Sequence, residues 1–567
     1  MARRRRTPAA RATRVAALAI ALALAATPAA SAQQPASLRI AIPGDDGSLT
    51  PYTFESGYAF MSLIYDTLTW RDAHGVAQPW LARSVRRSPT GRQIVVHLRR
   101  GIRWQDGRPL TAADVVFTYR FMIDRPHPRF TPQLQDIASV GASDALTVVF
   151  HLRRAALGFV DQPLADVPIL PAHLWAGLPP DRRAPPGLPI GSGPYRMTRH
   201  QPGRGYRLQA NRDYFRGVPS VARIDVPVIR DQAAIVGDLR RAAVDVVPLT
   251  VQPGTRPRRI TGVTYSPEDL YSGTMLQFNV ARRPFRRLAA RRAVAESLDL
   301  RALASNATRV AGGVVPADRG MLDPDSRWAP TTTLHRVDEQ AARIAFAEQG
   351  VGTFRVVVAR NDPVRLETAK RVVRALRALG AGARLVALAP RALDRALGRR
   401  GARASFDAAV VGIPALASYD PAFLRAVFGP PRTAPLNDGG YDSATFDELA
   451  ERVASATREP ARRAAVTEQL RFLARDLPAV PLLYGGGTFA YRPRAYNGWV
   501  SVRGTGILDK RSFLRGAAVT PATPGAGSPS EDLVDPQDGG GFSLWPVIIV
   551  LAVVALAGGA WWLRPRA

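Results

Sequence analysis

Cysteine is absent from the 567 residues. Disulfides, thiolate metal sites and cysteine nucleophiles are therefore excluded, and so is the N-terminal cysteine on which a lipid anchor is built. Lysine is almost missing: of 77 basic residues only Lys370 and Lys510 are lysines. Arginine follows each of them, so no Gly-Lys-Ser/Thr phosphate loop exists, and the chain hydrolyses no nucleotide through such a loop. The seven histidines (His74, His97, His127, His151, His173, His200 and His335) show no metal-ligand spacing. Gly191-Ser192-Gly193-Pro194 lacks the spacing of a nucleophile elbow, and Asp45-Asp46 and Asp442 with Asp447 are not paired for acid/base work. The residues support neither catalysis nor a cofactor.

Acidic residues are also in deficit, 46 against 77 basic, for a formal charge of +31. The arginines are scattered through the whole chain rather than gathered on one segment. Six of them precede Gln33, which leaves about +25 on the rest. A scattered excess of arginine reads as coding composition, not as selection for phosphate contacts, and no nucleic-acid ligand is expected. Attraction to anionic lipid or wall polymer is the milder consequence.

Long hydrophobic runs occur only at the two ends. Residues 1–32 read as a secretory signal: Arg3 to Arg6 with Arg11 and Arg14, an apolar stretch from Val15 to Ala26, and Ala30-Ser31-Ala32 as cleavage site. From 516 to 541 the composition is Ala, Pro, Gly, Ser and acidic residues, which predicts a flexible linker. Residues 542–563 carry no charge, with Trp545 at one edge, Trp561 and Trp562 at the other, and arginines in the tail 564–567. A span of that length crosses a bilayer, and the trailing arginines place its C-terminus in the cytoplasm. The expected location is thus outside the cytoplasm, anchored by a C-terminal single-pass helix.

Between the ends, strand-like and helix-like periods alternate as in α/β proteins. Gln93 to Leu98 reads as a strand, followed by a loop and a capping box in which Asp114 reaches back to Thr111. Phe354 to Ala359, Val364 to Leu379 ending at Gly380, and Ala383 to Leu388 read as a βαβ unit, which requires parallel strands. Further helices are expected at 337–349, 443–457 and 459–475. There is no internal repeat.

Several segments carry a resemblance. Leu81-Ala82-Arg83-Ser84 with SPTGRQIVVHLRRGIRWQDGRPLTAADVVFTY from Ser88 to Tyr119 resembles the signature of the family 5 extracellular solute-binding proteins, the peptide/nickel group that serves ABC importers. Ile169 to Trp175, Gly191 to Tyr195, Asn211 to Phe215, Leu276 to Asn279, Tyr419-Asp420-Pro421 and Leu477 to Leu482 resemble its landmarks in the same order. The resemblance implies a two-lobed, type II periplasmic-binding-protein-like α/β fold of three domains. One is discontinuous (33–48, 190–268 and 486–515), a small one covers 49–189 within the same lobe, and the second lobe covers 269–485. It implies capture of an oligopeptide or similar small polar solute and delivery to a permease pair with its ATPase, by a monomer that binds no nucleic acid and is not an enzyme. A peptide receptor that reports to a partner, or an anchored envelope hydrolase, remains the alternative.

The resemblance also implies ligand contacts. In peptide-binding members an aspartate in the loop matching Ala415 to Pro421 receives the peptide's ammonium group. Only Asp420 lies in that loop, and it matches the Asp-Pro turn, whereas the anchoring position falls near Ala417. Tyr419, Tyr271, Tyr484 and Tyr52 are the aromatic candidates, because a phenol ring brings area and one polar handle. Gln277 and Asn279 could offer amides to a ligand.

Overall fold

The computed structural model describes residues 37–45, 47–54, 58–250, 259–267, 271–305, 314–348, 351–398, 406–485, 487–514 and 532–534. The expected leader (1–32), membrane span (542–563) and tail (564–567) lie outside the described residues. Among the described residues, no helix is long and apolar enough to cross a membrane.

Apolar side chains gather into separate cores. One set of clusters draws only on residues between Leu38 and Leu249 and between Phe489 and Phe513. Another draws only on residues between Met275 and Tyr484. No cluster mixes the two sets, so burial stabilises two bodies independently and the surface between them is not a shared core.

In the first body an antiparallel sheet joins Ala82–Arg87, Gln93–Leu98, Thr147–Leu152 and Ile137–Asp144. The helix Ala112–Asp124 packs on it. Its start is fixed by the capping box expected from the sequence: the Thr111 amide donates to the Asp114 carboxylate at 2.9 Å. A second sheet orders Leu38–Arg39, Arg223–Pro227, Gly205–Ala210 and Tyr195–Gln201, with only the first pair parallel. The second body is built on six strands, ordered Val315–Pro316, Ala479–Tyr484, Gly273–Phe278, Ala408–Ile413, Thr353–Ala359 and Gly382–Leu388. Thr353–Ala359, the helix Pro363–Ala378 and Gly382–Leu388 form the expected βαβ unit, with Val356 opposite Leu385 in a parallel pair. Gly380, at φ +95°, occupies the left-handed position that ends this helix.

Two connections cross between the bodies, after Pro267 and after Gly485. Their flanking strands lie side by side: Thr264–Pro267 and Val246–Thr250 both pair with Gly487–Tyr491 in a three-stranded sheet. Pro267 stands opposite Thr488. Both crossings therefore leave from one edge, the geometry that lets two bodies turn about a common line.

The linker expected at 516–541 is not wholly without pairing. Asp532–Val534 adds antiparallel to Ser84–Arg86. Composition measures the apolar area a segment can bury; an exposed sheet edge instead offers unpaired backbone N–H and C=O groups to any chain of extended shape.

Candidate functional site

A cavity of about 760 Å³ lies between the two bodies, within the size range of small-ligand sites. The first body supplies Trp70 and Arg71 from the strand Thr69–Arg71, together with Arg129 and Asp509. The second supplies Arg365 from the first turn of the helix Pro363–Ala378, and Gly412 to Ala415 and Tyr419 from the end of its central strand and the short helix after it.

Among the described residues, four charged side chains line this space: three guanidiniums and one carboxylate. Asp509 is already engaged, accepting from Trp70 Nε1 at 3.2 Å, Thr505 Oγ1 at 3.1 Å and the Arg511 amide at 2.9 Å. Arg129 grips buried Asp166 with two bonds, of 3.1 and 2.5 Å, and Gln133 adds a third donor at 2.8 Å. Burial works against ionisation of Asp166, but Arg129 outweighs it and holds the carboxyl below its ordinary range. Arg365 donates to Asp362 at 2.7 Å, and its Nε has no partner among the described residues. Arg71 is 2 % exposed. Its guanidinium donates to neutral acceptors: Ala165 O at 3.3 Å, Asp161 O at 3.1 Å and Gln162 Oε1 at 2.9 Å.

Of the seven residues singled out in the sequence, Tyr419 lines the cavity. The Arg71 guanidinium lies 3.8 Å from its ring centroid, and its hydroxyl donates to Arg503 O at 3.4 Å, so it joins the two bodies. Burial pushes its phenol up to about 12. Tyr271 packs behind it, ring centroids 4.8 Å apart, outside the cavity lining. Asp420 does not line the cavity either. It caps the 3-10 turn Pro421–Phe423, accepting from the Ala422 amide at 3.0 Å, and pairs with buried Arg462. Tyr484 is fully buried in the second core, its ring against Gly273. Tyr52 joins an aromatic group with Phe121, His127 and Trp175 and donates to Arg125 O at 2.7 Å. Asn279 is spent on Phe406 O and the Ala281 amide, while Gln277 is buried on its strand. Of the seven, Tyr419 is the one in the lining, and among the described residues the charged groups there are Asp509 and three arginines, Arg71, Arg129 and Arg365. Arginine is so common in this chain that these three carry no signal in the sequence.

Away from the cavity, ion pairs tie the two bodies at their rim. Arg154 bonds both Asp136, at 2.6 Å, and Glu451 across the gap, and Arg425 reaches the same two carboxylates at 3.6 Å. Arg327 reaches Asp161 at 3.5 Å and Glu459 at 3.7 Å. Burial raises Asp161 above the ordinary carboxylate range despite Arg327. Beside these, Gly158 comes so close to Asp420 that a Cβ there would collide with its carboxylate. Among the described residues no group of three or more His, Cys, Asp or Glu side chains could hold a metal ion.

Two separately cored α/β bodies, joined along one edge and enclosing a cavity, define the class of hinged, two-lobed binding proteins. The chain belongs to the bacterial extracellular solute-binding proteins, family 5, whose model matches residues 76–434; this is a family of binding proteins, not enzymes. It is 29% identical over 184 residues to the oligopeptide-binding protein AppA of Bacillus subtilis, a match covering 32% of this chain and 34% of that one. The chain thus spans about a third of the length of the curated relatives it matches. Solved structures share the fold over much more. AppA of Bacillus subtilis with a nonapeptide superposes with a TM-score of 0.69 at 20% identity, covering 89% of this chain and 99% of that one. NikZ of Campylobacter jejuni with Ni(L-His) gives 0.68 at 20% identity, covering 81% and 94%.

Proposed function

We propose that the chain is the extracytoplasmic substrate-binding component of an ABC importer, capturing an oligopeptide or similar small polar solute between its two lobes and delivering it to a permease pair. The observation that carries this reading is the cavity of about 760 Å³ enclosed between bodies that share no core. A solute held there is desolvated by both walls, and its preference for the closed form drives the hinge. The peptide and the nickel chelate named with the two solved relatives support a small polar occupant. In this reading residues 33–268 and 486–515 act as one lobe and 269–485 as the other. Residues 1–32 export the chain as a monomer, and 542–563 anchor it in the membrane through the linker 516–541.

The test uses the full chain in detergent, screened by thermal unfolding and small-angle scattering against di- to hexapeptides, nickel chelates and oligosaccharides. A solute at about 100 times its Kd stabilises by about 2.7 kcal/mol and makes the particle more compact. An unchanged profile with every solute, or release of a chemically altered solute, refutes the reading. The anchor is checked separately: a chain ending at residue 541 is expected in the soluble extracytoplasmic fraction, and its retention in membranes refutes that part.

A further inference from the structure

The large antiparallel sheet of the first body would end at Ala82–Arg87 on one side and at Ile137–Asp144 on the other. Among the described residues, Asp532–Val534 covers the first of these edges and nothing pairs with the outer side of the second. In the antiparallel register Asp532 stands opposite Arg86, Leu533 opposite Val85 and Val534 opposite Ser84. Both partners suit this pairing. The four acidic residues of 516–541, Glu531, Asp532, Asp535 and Asp538, all fall within eight positions, and that whole stretch has no basic residue. The strand they meet has Arg83, Arg86 and Arg87 and no acid, and Arg83 and Arg86 are exposed. Leu533 and Val534 are the one adjacent pair of large aliphatic residues in 516–541, and the register sets Leu533 against Val85 of the first core. Pro529 and Pro536, which have no N–H to give to a ladder, bound the segment that can pair.

We infer that this sheet edge is a latch for the chain's own linker, and that latching fixes how the first body is held over the membrane. The second half rests on the anchor proposed above at 542–563. Pairing at 532–534 leaves the seven residues 535–541 between the sheet edge and the apolar stretch; fully extended, they span about 25 Å. Released, the 27 residues 515–541 reach up to about 95 Å. A latched first body thus turns its Ala82–Arg87 edge toward the bilayer, while the second body, joined to it through the two crossings, keeps its freedom to turn. Three paired residues flanked by exposed charges make a weak, salt-sensitive contact, which the tether supports by keeping the segment at high local concentration. The latch is therefore reversible.

The absence of cysteine makes the test direct, because two introduced thiols have only each other as intramolecular partners. In the full chain in detergent, Arg86→Cys with Asp532→Cys is expected to form a disulfide under mild oxidation at least tenfold faster than Ser139→Cys with Asp532→Cys. The control puts one thiol on the opposite edge, three strand spacings or about 15 Å away, within reach of an unpaired linker. Protection from a polyethylene-glycol maleimide, read as a gel shift, gives both rates. Ser84→Cys with Val534→Cys, which keeps Arg86 and Asp532, is expected to close as fast as the first pair and to slow several-fold in 1 M salt. Equal rates at the two edges overturn the latch. For the membrane half, the full chain is placed in vesicles with acceptor-labelled head groups and a donor dye at Thr90→Cys, in the exposed turn after the arginine strand. Leu533→Asp with Val534→Pro is expected to cut the energy transfer at least twofold. In-register disulfides with unchanged transfer uphold the latch and overturn its effect on the first body's position. In-register disulfides with no transfer in any variant uphold the latch and overturn the anchor.

Discussion

Lys510 and Asp66 form an ion pair with both side chains 0 % exposed, at 2.7 Å. Their neighbourhood sets the size of the effect of breaking it. Asp66 also accepts from Trp80 Nε1 at 2.8 Å, Tyr214 at 3.0 Å and Ser192 at 3.0 Å, while Lys510 has only Tyr65 O as a second acceptor and the faces of Trp70 and Trp80. Lys510→Met leaves a carboxylate that keeps three donors, and a loss of about 3 kcal/mol follows, the lower end of the cost of unpairing a buried charge. Asp66→Leu is worse. Trp80 can still donate to Tyr214, at 3.1 Å, but the Ser192 and Tyr214 hydroxyls lose their acceptor and the buried ammonium loses its counter-charge and keeps Tyr65 O, so about 5 kcal/mol is expected. Urea unfolding followed by tryptophan fluorescence reads both, since Trp70 and Trp80 flank the pair. A coupling energy below about 0.5 kcal/mol in the double-mutant cycle, or the opposite order of the two losses, would refute the argument that burial of the charges dominates.

At the seam, Gly158→Ala places a methyl group against Asp420; the lobes are then held apart, and the scattering radius with saturating solute is expected to stay at its open value, whereas normal compaction rejects the close approach. Arg154→Ala removes one pair across the seam, with Glu451; because such a partly exposed pair is worth about 0.2–1 kcal/mol, the ligand-free chain should open up to a few-fold more readily, and 1 M salt should mimic the change in the unaltered protein. His127 is held neutral by burial, its pKa lowered to about 4. The unfolded chain therefore takes up a proton that the native one refuses, so stability is present above about pH 6.5 and is lost as pH falls from there to about 4. His127→Phe, which preserves the stack with Phe54 and Phe130, is expected to flatten that slope, and an unchanged slope from urea titrations at pH 4 to 7 would assign it to other groups.

What was legible in the sequence was local. The Thr111–Asp114 box and the βαβ unit ending at Gly380 are each written within a few dozen neighbouring residues, and the structure contains both. The cavity is not local. Arg71, Arg129, Arg365 and Asp509 come from four segments separated by tens to hundreds of residues, and nothing in the immediate sequence of any of them marks it. Tyr419 was found because it sits in a recognisable Tyr-Asp-Pro turn; Asp420 in the same turn faces the other way energetically, already spent on a cap and on Arg462. Residue type alone does not distinguish a tyrosine that closes a cleft from one such as Tyr484 that fills a core.

The seam shows how such a protein keeps closing reversible. Its cores are segregated, so opening exposes no shared apolar interior and costs little of the roughly 25 cal/mol per Å² that holds each body together. The contacts that cross among the described residues include ion pairs at the rim, hydrogen bonds from Arg503 to Asp325 O at 3.0 Å and from the Tyr419 hydroxyl to Arg503 O at 3.4 Å, and the Arg71 stack on Tyr419, all of which water can replace. Glycine at 158 and at 504, where a Cβ would strike Tyr419, lets the walls meet without side chains that would have to move. In the binding role proposed above, a solute held between the walls shifts the hinge only by as much as it prefers the closed form, so few and replaceable cross-contacts leave that preference in control.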